Sequence, residues 1–572
     1  MSAHPDFYIF RDARRRLAAV ELLRPLRSAL VAMASRAEID ELIALLLRAG
    51  ELECALCDAK ASPEDCEAAE QLTDALAESA VRTDCLGRTF DGREIVAASL
   101  PLLDKIGYSG AVNVGASEGF AYYALHPLDY VDRVATLEEN WQSAFVIGIR
   151  SIGTTLSAIV ASKLRERGVA ADRFTVRPSG HPYDRHCAFS EDQLPKIRAA
   201  LAHGSQFLVC DEGPGRSGSS LLSVAEALVR AGVPCSSIRI LCSHEPDVGS
   251  LCTPEAARRW SQFRSMHTGM TKRLPRDAAE YFGNGEWRWK IFSRDHEWPP
   301  VWSQFERLTY GSGDGGSLLM FEGHGQFGEA VRNRNQKLSD AGFSLPYLGQ
   351  EVGFGRQRLM DGSTARAEDL APALLARMAE YCAWRAREFA VAEVDSSELD
   401  TMARVNFERE FGYALSDLNL CVVRPTICDN QMMPHAWLKA ATGEWLKLDA
   451  ATRGDDHFFP GPCDVAWDLA GVSVEWRLSP ADRASLLRSY QNASGDNAAD
   501  RLAAYELAYA IFRMAWSRMA ATSVSVTSEN ARLMRDYERY RSWLQSASTT
   551  RNETKSRPSC PDRTLEKPAY LL

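Results

Sequence analysis

Two adjacent carboxylates, Asp211 and Glu212, end an apolar run, Phe207-Leu208-Val209-Cys210, and a loop of glycine, arginine and serine follows them. The run reads as a buried parallel strand, and Leu221, Leu222, Val224, Ala225, Ala227 and Leu228 beyond the loop have helical spacing. A strand that ends in acid and turns into a helix builds a ligand site at the carboxyl edge of an open α/β sheet. The chemistry divides along the turn. Backbone N–H groups and hydroxyls of Arg216, Ser217, Gly218, Ser219 and Ser220, backed by a helix N-terminus, suit a phosphate. The carboxylates repel one, and suit ribose hydroxyls or a bound Mg²⁺.

A second such unit lies upstream. Phe145 to Ile149 reads as a strand, Arg150-Ser151-Ile152-Gly153-Thr154-Thr155 as a short basic loop, and Leu156 to Leu164 as a helix. Between the units, Phe174-Thr175-Val176 precedes a polar, Gly/Pro-broken stretch, Ser179 to His186, and Ser237 to Ser243 gives a further strand. Strands alternating with helices over about 95–260 predict a parallel sheet with right-handed crossovers. The Asp211 segment resembles the PRPP-binding motif of the type I phosphoribosyltransferases, with Ser217-Gly218-Ser219-Ser220 in place of the usual Thr-Gly-x-Thr ending. An ordinary strand-to-helix turn of a doubly wound domain has the same outline. The resemblance implies that Asp211 and Glu212 hold the ribose and Arg216 to Ser220 the sugar phosphate. Arg150, Ser151 and Gly153 would face the pyrophosphate, 179–186 would form a hood, and Mg²⁺ would be the cofactor.

The second half carries different chemistry. A glycine turn, Gly311 to Gly316, precedes a short strand, Ser317 to Phe321, and then Gly323-His324-Gly325-Gln326-Phe327-Gly328 spells GxGxxG. No βαβ unit with an acidic residue about twenty positions on follows it, so the order suits the glycine loop of kinase folds better than a dinucleotide site. Farther on stand Asp429-Asn430-Gln431, then Trp445-Leu446-Lys447-Leu448-Asp449, then Asp464 and Asp468-Leu469-Ala470. This resembles the C-lobe of the aminoglycoside phosphotransferase and choline kinase-like family. The resemblance implies Asp429 as base, Asp449 as Mg²⁺ ligand, Asp464 and Asp468 as lobe-holding residues, and ATP on Gly323, Gly325 and Gly328. In-line transfer needs one carboxylate to orient the hydroxyl and another for the metal. Three parts depart from the pattern. Ile427-Cys428 replaces the His-Gly before the base, and only Asn430, Gln431 or His435 stands in for the second metal ligand. Met320 and Phe321 occupy the strand where a lysine belongs. Such a site forfeits transition-state charge stabilisation, and pseudokinase and divergent phosphotransferase both remain open.

The elements that must position these residues form an α/β multidomain chain of 572 residues. Three- and four-residue apolar steps from Leu17 to Val81 give a helical region over 1–94, suited to packing or a homo-oligomer contact. A phosphoribosyltransferase-like domain is expected over 95–260, a bilobal kinase-like domain over 261–545, and a disordered Ser/Thr/Arg/Pro/Lys tail over 546–572. A net charge of −10 excludes a general nucleic-acid surface. No apolar run approaches the ~18–20 residues of a membrane span. The arginine-rich start lacks a secretory core, and fourteen scattered cysteines fit a reducing cytoplasm. Cys54 and Cys57 lack the partners of a zinc site. Two functions follow as expectations: a transferase acting on PRPP and a nucleoside-like metabolite with both domains, or a non-catalytic PRPP/ATP sensor. A third makes the N-terminal helices and the Trp-rich stretch from Trp287 an assembly surface.

Overall fold

A computed structural model of the chain describes residues 7–9, 14–34, 38–86, 91–415, 418–454 and 456–554. Five strands lie side by side, all parallel, in the order Ala170–Val176, Ser143–Ile149, Gln206–Cys210, Ile238–Cys242 and Arg264–His267. Alternation builds the layers. Val146, Leu208 and Leu241 face one core with Leu156 and Ile159, while Ile147, Val209 and Ile240 face another with Leu222, Val224 and Leu228. Ser143–Ile149, first in the chain, sits between the second and third strands. Winding therefore reverses between it and Gln206–Cys210, and the loops after these two strands part to leave a crevice.

The helices of the first hundred residues are not a separate unit. Val20–Met33, Ile39–Asp58, Pro63–Leu86 and Gly92–Asp104 share one core with the sheet. The apolar faces expected to serve a subunit contact are thus covered within the chain. Arg173 on the edge strand donates two 2.9 Å bonds to the Glu53 carboxylate, both side chains buried. A bidentate pair of this kind fixes the register of helix on sheet, because Glu53 without Arg173 would be an uncompensated buried charge. A strand, Arg15–Ala18, pairs antiparallel with Ala111–Val114 inside the segment expected to be helical. The parallel sheet also continues past residue 260, to His267.

The second half opens with an antiparallel sheet in the order Ala278–Tyr281, Thr309–Ser312, Ser317–Phe321, Phe354–Arg358, Tyr347–Glu351. A smaller sheet, Gly362–Thr364, Trp437–Ala440 and Trp445–Lys447, lies below it. The helices Pro372–Glu388, Ser397–Phe411, Ala466–Glu475, Pro480–Ser494, Ala499–Ser523 and Thr527–Thr554 enclose the largest core. Tyr505 to Ser517 of Ala499–Ser523 are buried without a break, so this helix runs through the middle. The last helix continues beyond Ser546 to Thr554, where a disordered tail was expected; 555–572 lie outside the described residues. Among the described residues no helix is long and apolar enough to cross a membrane.

Candidate functional site

The crevice at the winding reversal gathers Asp211, Glu212, Arg150, Ser151 and Gly153. Gly153 is required by closeness: a Cβ there would stand 2.5 Å from the Cys210 carbonyl. Tyr130 donates its hydroxyl to the carbonyls of Asp211 and Glu212 at 2.7 and 3.3 Å, fixing the acidic turn. Gly119 donates its N–H to the Glu212 carboxylate at 3.2 Å. Burial pushes the Asp211 carboxyl up to about 7, and Glu212 well above the usual carboxylate range. Glu118, from the same side, is also pushed up to about 7, by burial and then by Asp456. Three carboxylates that hold protons near neutrality are poised to exchange them for hydroxyl donors or a cation. Among the described residues no group of three His, Cys, Asp or Glu is placed to hold a metal by itself. A Mg²⁺ at this crevice would take most of its ligands from a phosphorylated substrate, as Mg²⁺ commonly does.

The loop that follows has its own arrangement. Gly218 takes the left-handed conformation, φ +67°, and caps the helix Ser219–Arg230. Ser217 and Ser219 both donate to the Pro182 carbonyl, at 2.9 and 2.7 Å. Pro182 tips the hairpin of Ser179–His181 with Asp184–His186, so the expected hood lies on the loop and occupies its hydroxyls. Arg216 has an exposed side chain and accepts the Cys252 N–H on its carbonyl, while Ser220 is half-buried. Arg150 donates to Asp58 at 3.0 Å, and Arg177 binds the same carboxylate. Asp58 ends the helix Ile39–Asp58, a contact that motif reading along one segment does not reveal. Ser151 sits at φ +107°, ψ −95°, a strained backbone for a residue other than glycine, directly before the helix Ile152–Glu166. A cleft of about 540 Å³ lined by Asp58, Glu118, Ser151, Arg177 and His457 opens there.

The second half holds a cleft of about 710 Å³ between its two sheets. Thr309, Leu318 and Met320 form its roof and Ala436, Leu438 and Leu448 its floor, and Asp449 closes one end. Asp449 has φ +49°; its carboxylate accepts the Thr452 hydroxyl and, at 3.1 Å, the Arg453 guanidinium. Asn430 Oδ1 is buried without a hydrogen-bond partner among the described residues. Asp449 at the cleft is a carboxylate of the kind Mg²⁺ takes alongside nucleotide phosphates, whereas Asn430 lines the neighbouring cavity. Asp429 is placed otherwise. Its side chain is fully buried, 3.2 Å from Lys447 Nζ and 3.9 Å from Arg385, and accepts the Tyr381 hydroxyl. Asp468 accepts the N–H groups of Asp429 and Asn430. Two buried cations demand a counter-charge, and Asp429 supplies it instead of lining the cleft.

The GxGxxG loop is also displaced from its expected role. Gly323 and Gly328 close on each other, a Cβ on Gly328 standing 2.3 Å from the Gly323 carbonyl, and between them the loop meets the first half: His324 donates its N–H to the Phe120 carbonyl at 2.9 Å, and a Cβ on Gly325 would stand 3.0 Å from Ala44 Cα. None of the three lines the cleft. The turn between Thr309–Ser312 and Ser317–Phe321 does, through Gly311, Ser312 and Gly315. A hairpin turn reaches over a cleft; a turn opening a helix packs against its neighbour. Met320 stands in the roof where the phosphotransferase pattern has a lysine, and Lys290 pairs with Glu280 at 2.8 Å.

One buried arginine joins the two sites. Arg307 donates to the carbonyl of Ala121 at 2.5 Å and of Thr452 at 3.1 Å, and stacks on Tyr122. It also lies 3.7 Å from Asp456, beside His457, which reaches Glu118 at 3.4 Å. The segment leaving Asp449 therefore ends against the acidic crevice of the first half.

No family model matches the chain, and no curated protein matches it. Among solved structures it is similar to a choline kinase from Streptococcus pneumoniae, 14% identical over 42% of this chain and 90% of that one, with a TM-score of 0.31. It is similar to a choline/ethanolamine kinase family protein from Mesorhizobium loti, 19% identical over 47% and 97%, at 0.32. An aminoglycoside phosphotransferase from Alicyclobacillus acidocaldarius gives 11% over 49% and 95%, at 0.26. Likenesses of this size carry nothing about family or activity.

Proposed function

We propose that the second half is a phosphotransferase-like nucleotide-binding unit that holds its nucleotide without turning it over. The observation that carries this reading is the cleft of about 710 Å³, apolar above and below, with a glycine turn at its edge and Asp449 at its end. Apolar walls accept a base, the glycine turn brings backbone N–H groups to phosphates, and Asp449 would hold Mg²⁺. The ion, when bound, would offset phosphate charge. The chain's own residues bind and orient. What is missing is a free base, because Lys447, Arg385 and Tyr381 lock Asp429 away from any acceptor hydroxyl. Calorimetric titration of the full chain with ATP and Mg²⁺, followed by an assay for ADP, tests it. Binding without ADP release is expected; no heat of ATP binding sinks the reading, and steady ADP release sinks the claim of no turnover.

A second ligand site is supported by a separate observation, the three proton-holding carboxylates at the winding reversal beside a serine loop. We infer that this crevice takes a phosphorylated ribose such as PRPP, with the 179–186 hairpin displaced from Ser217 and Ser219 on binding. Titration with PRPP and Mg²⁺ should give heat that Asp211→Asn with Glu212→Gln abolishes. Retained affinity in that variant would remove the crevice from consideration, and pyrophosphate release would convert binding into phosphoribosyl transfer.

A further inference from the structure

Behind the nucleotide cleft lies a second cavity of about 440 Å³, separated from it by a wall that both share: Trp287, Glu306, Gln431, His435 and Arg453. Six arginines line it (Arg453, Arg477, Arg513, Arg532, Arg535 and Arg539) against four carboxylates. The carboxylates are already engaged. Glu475 accepts from Arg539, Tyr509 and Tyr540, Glu306 from Gly285 N–H and Trp287 Nε1, Glu297 from Arg366, and Asp536 pairs with Arg539. The donors are not. Arg477 and Arg535 stand exposed at the cavity, with no side-chain hydrogen bond or ion pair among the described residues. Trp302 and Trp516, 4% and 8% exposed, line it, and their indole N–H groups have no acceptor among the described residues. A cavity with an excess of donors and positive charge is matched by a ligand that brings acceptors and negative charge, and the guanidinium fork fits phosphate oxygens in particular.

We propose that this cavity binds a small polyanion carrying at least two phosphate groups, of sugar-bisphosphate size, beside the nucleotide. Its placement next to a terminal phosphate rests on the nucleotide reading above; its chemistry does not. The phosphates have two possible sources, a separate phosphorylated metabolite or the nucleotide's own tail reaching through the shared wall, and the proposal commits to the first. Inner arginines anchored by Glu475 and Glu529 hold a fixed floor, while Arg477 and Arg535 at the lip are free to close on the ligand.

The test uses the full chain and fructose bisphosphate as probe, with adenosine and ATP as competitors. Wild-type protein should bind the bisphosphate, and Arg477→Ala with Arg535→Ala should weaken it at least about tenfold. The same variant should leave the melting temperature and adenosine affinity unchanged. ATP should bind together with the bisphosphate. Three results overturn the proposal: no bisphosphate binding at millimolar concentration, equal affinity in the double variant, or full displacement of the bisphosphate by ATP but not by adenosine, which would give the arginines to the nucleotide's tail. Bisphosphate binding in a protein that binds neither adenosine nor ATP would uphold this site while removing the nucleotide reading.

Discussion

Asp211 and Asp429 each follow a short strand and precede a turn, and their surroundings set them apart. Around Asp211 the neighbours are other carboxylates, Glu212 and Glu118, and the nearest arginines are drawn off to Asp58. Around Asp429 they are Lys447, Arg385 and a tyrosine hydroxyl, all buried. The first carboxylate sits in a crevice with protons to give up; the second is the counter-charge of an internal network. Position after a strand is therefore not enough to make an aspartate chemical. What decides is which charges the tertiary fold brings to it.

That contrast can be broken most forcefully at Asp429. Asp429→Ala leaves Lys447 buried without its anion and Arg385 with Asp468 alone, at 3.8 Å, a change that costs about 3–5 kcal/mol. Asp211→Asn replaces a carboxyl already inclined to stay protonated, and should shift the unfolding midpoint little at neutral pH. Denaturant unfolding of the two variants side by side decides it, and an Asp429 variant as stable as wild type would undo the contrast. Arg307→Met comes next. It removes two charged hydrogen bonds and the stack on Tyr122 that bind 121–122 to 452–456, for roughly 3 kcal/mol. Differential scanning calorimetry should then show one unfolding transition become two; a single unshifted transition would mean the halves are held elsewhere.

Much of this was legible in the residues. The short continuous apolar runs Phe145 to Ile149 and Phe207 to Cys210, with glycine-bearing turns before helical runs, suffice for the parallel sheet. The need for Gly153 and Gly218 follows from close approach and a left-handed cap. What escaped was long-range. Asp58 lies 92 residues from the Arg150 it neutralises, and Lys447 18 residues from Asp429, and no local spacing encodes either pair. The GxGxxG at 323–328 misled because glycine reports a tight backbone without saying what presses on it. Here that is Ala44 and the Phe120 carbonyl, not a phosphate.

The acidic crevice sharpens the comparison through pH. Folding raises the carboxyls of Asp211 and Glu118 to about 7, above their ordinary values, so the folded chain holds protons that the unfolded chain has released. Their contribution to stability is fully present below about pH 4 and is lost as pH rises through 7. Asp211→Asn should flatten that slope between pH 5 and 8, read as the change of melting temperature with pH. A slope unaltered in the variant would place the titration elsewhere. Affinity for PRPP with Mg²⁺ should run the opposite way, rising several-fold from pH 6 to pH 8 as the crevice ionises.

The smallest effect is expected at Asp58, whose half-buried carboxylate draws Arg150 and Arg177 away from the crevice. Partly solvated pairs of this kind contribute about 1 kcal/mol or less, so Asp58→Asn should barely move the unfolding midpoint. It should nonetheless release two guanidinium groups beside Ser151, where a pyrophosphate would lie in the PRPP reading. Pyrophosphate affinity by calorimetry should then rise a few-fold, while Asp58→Asn combined with Arg150→Gln returns it to the wild-type level. If Asp58→Asn binds pyrophosphate no better than wild type, Arg150 and Arg177 serve only to pin the helix Ile39–Asp58 to the sheet, and the crevice keeps its acid without a basic counterpart.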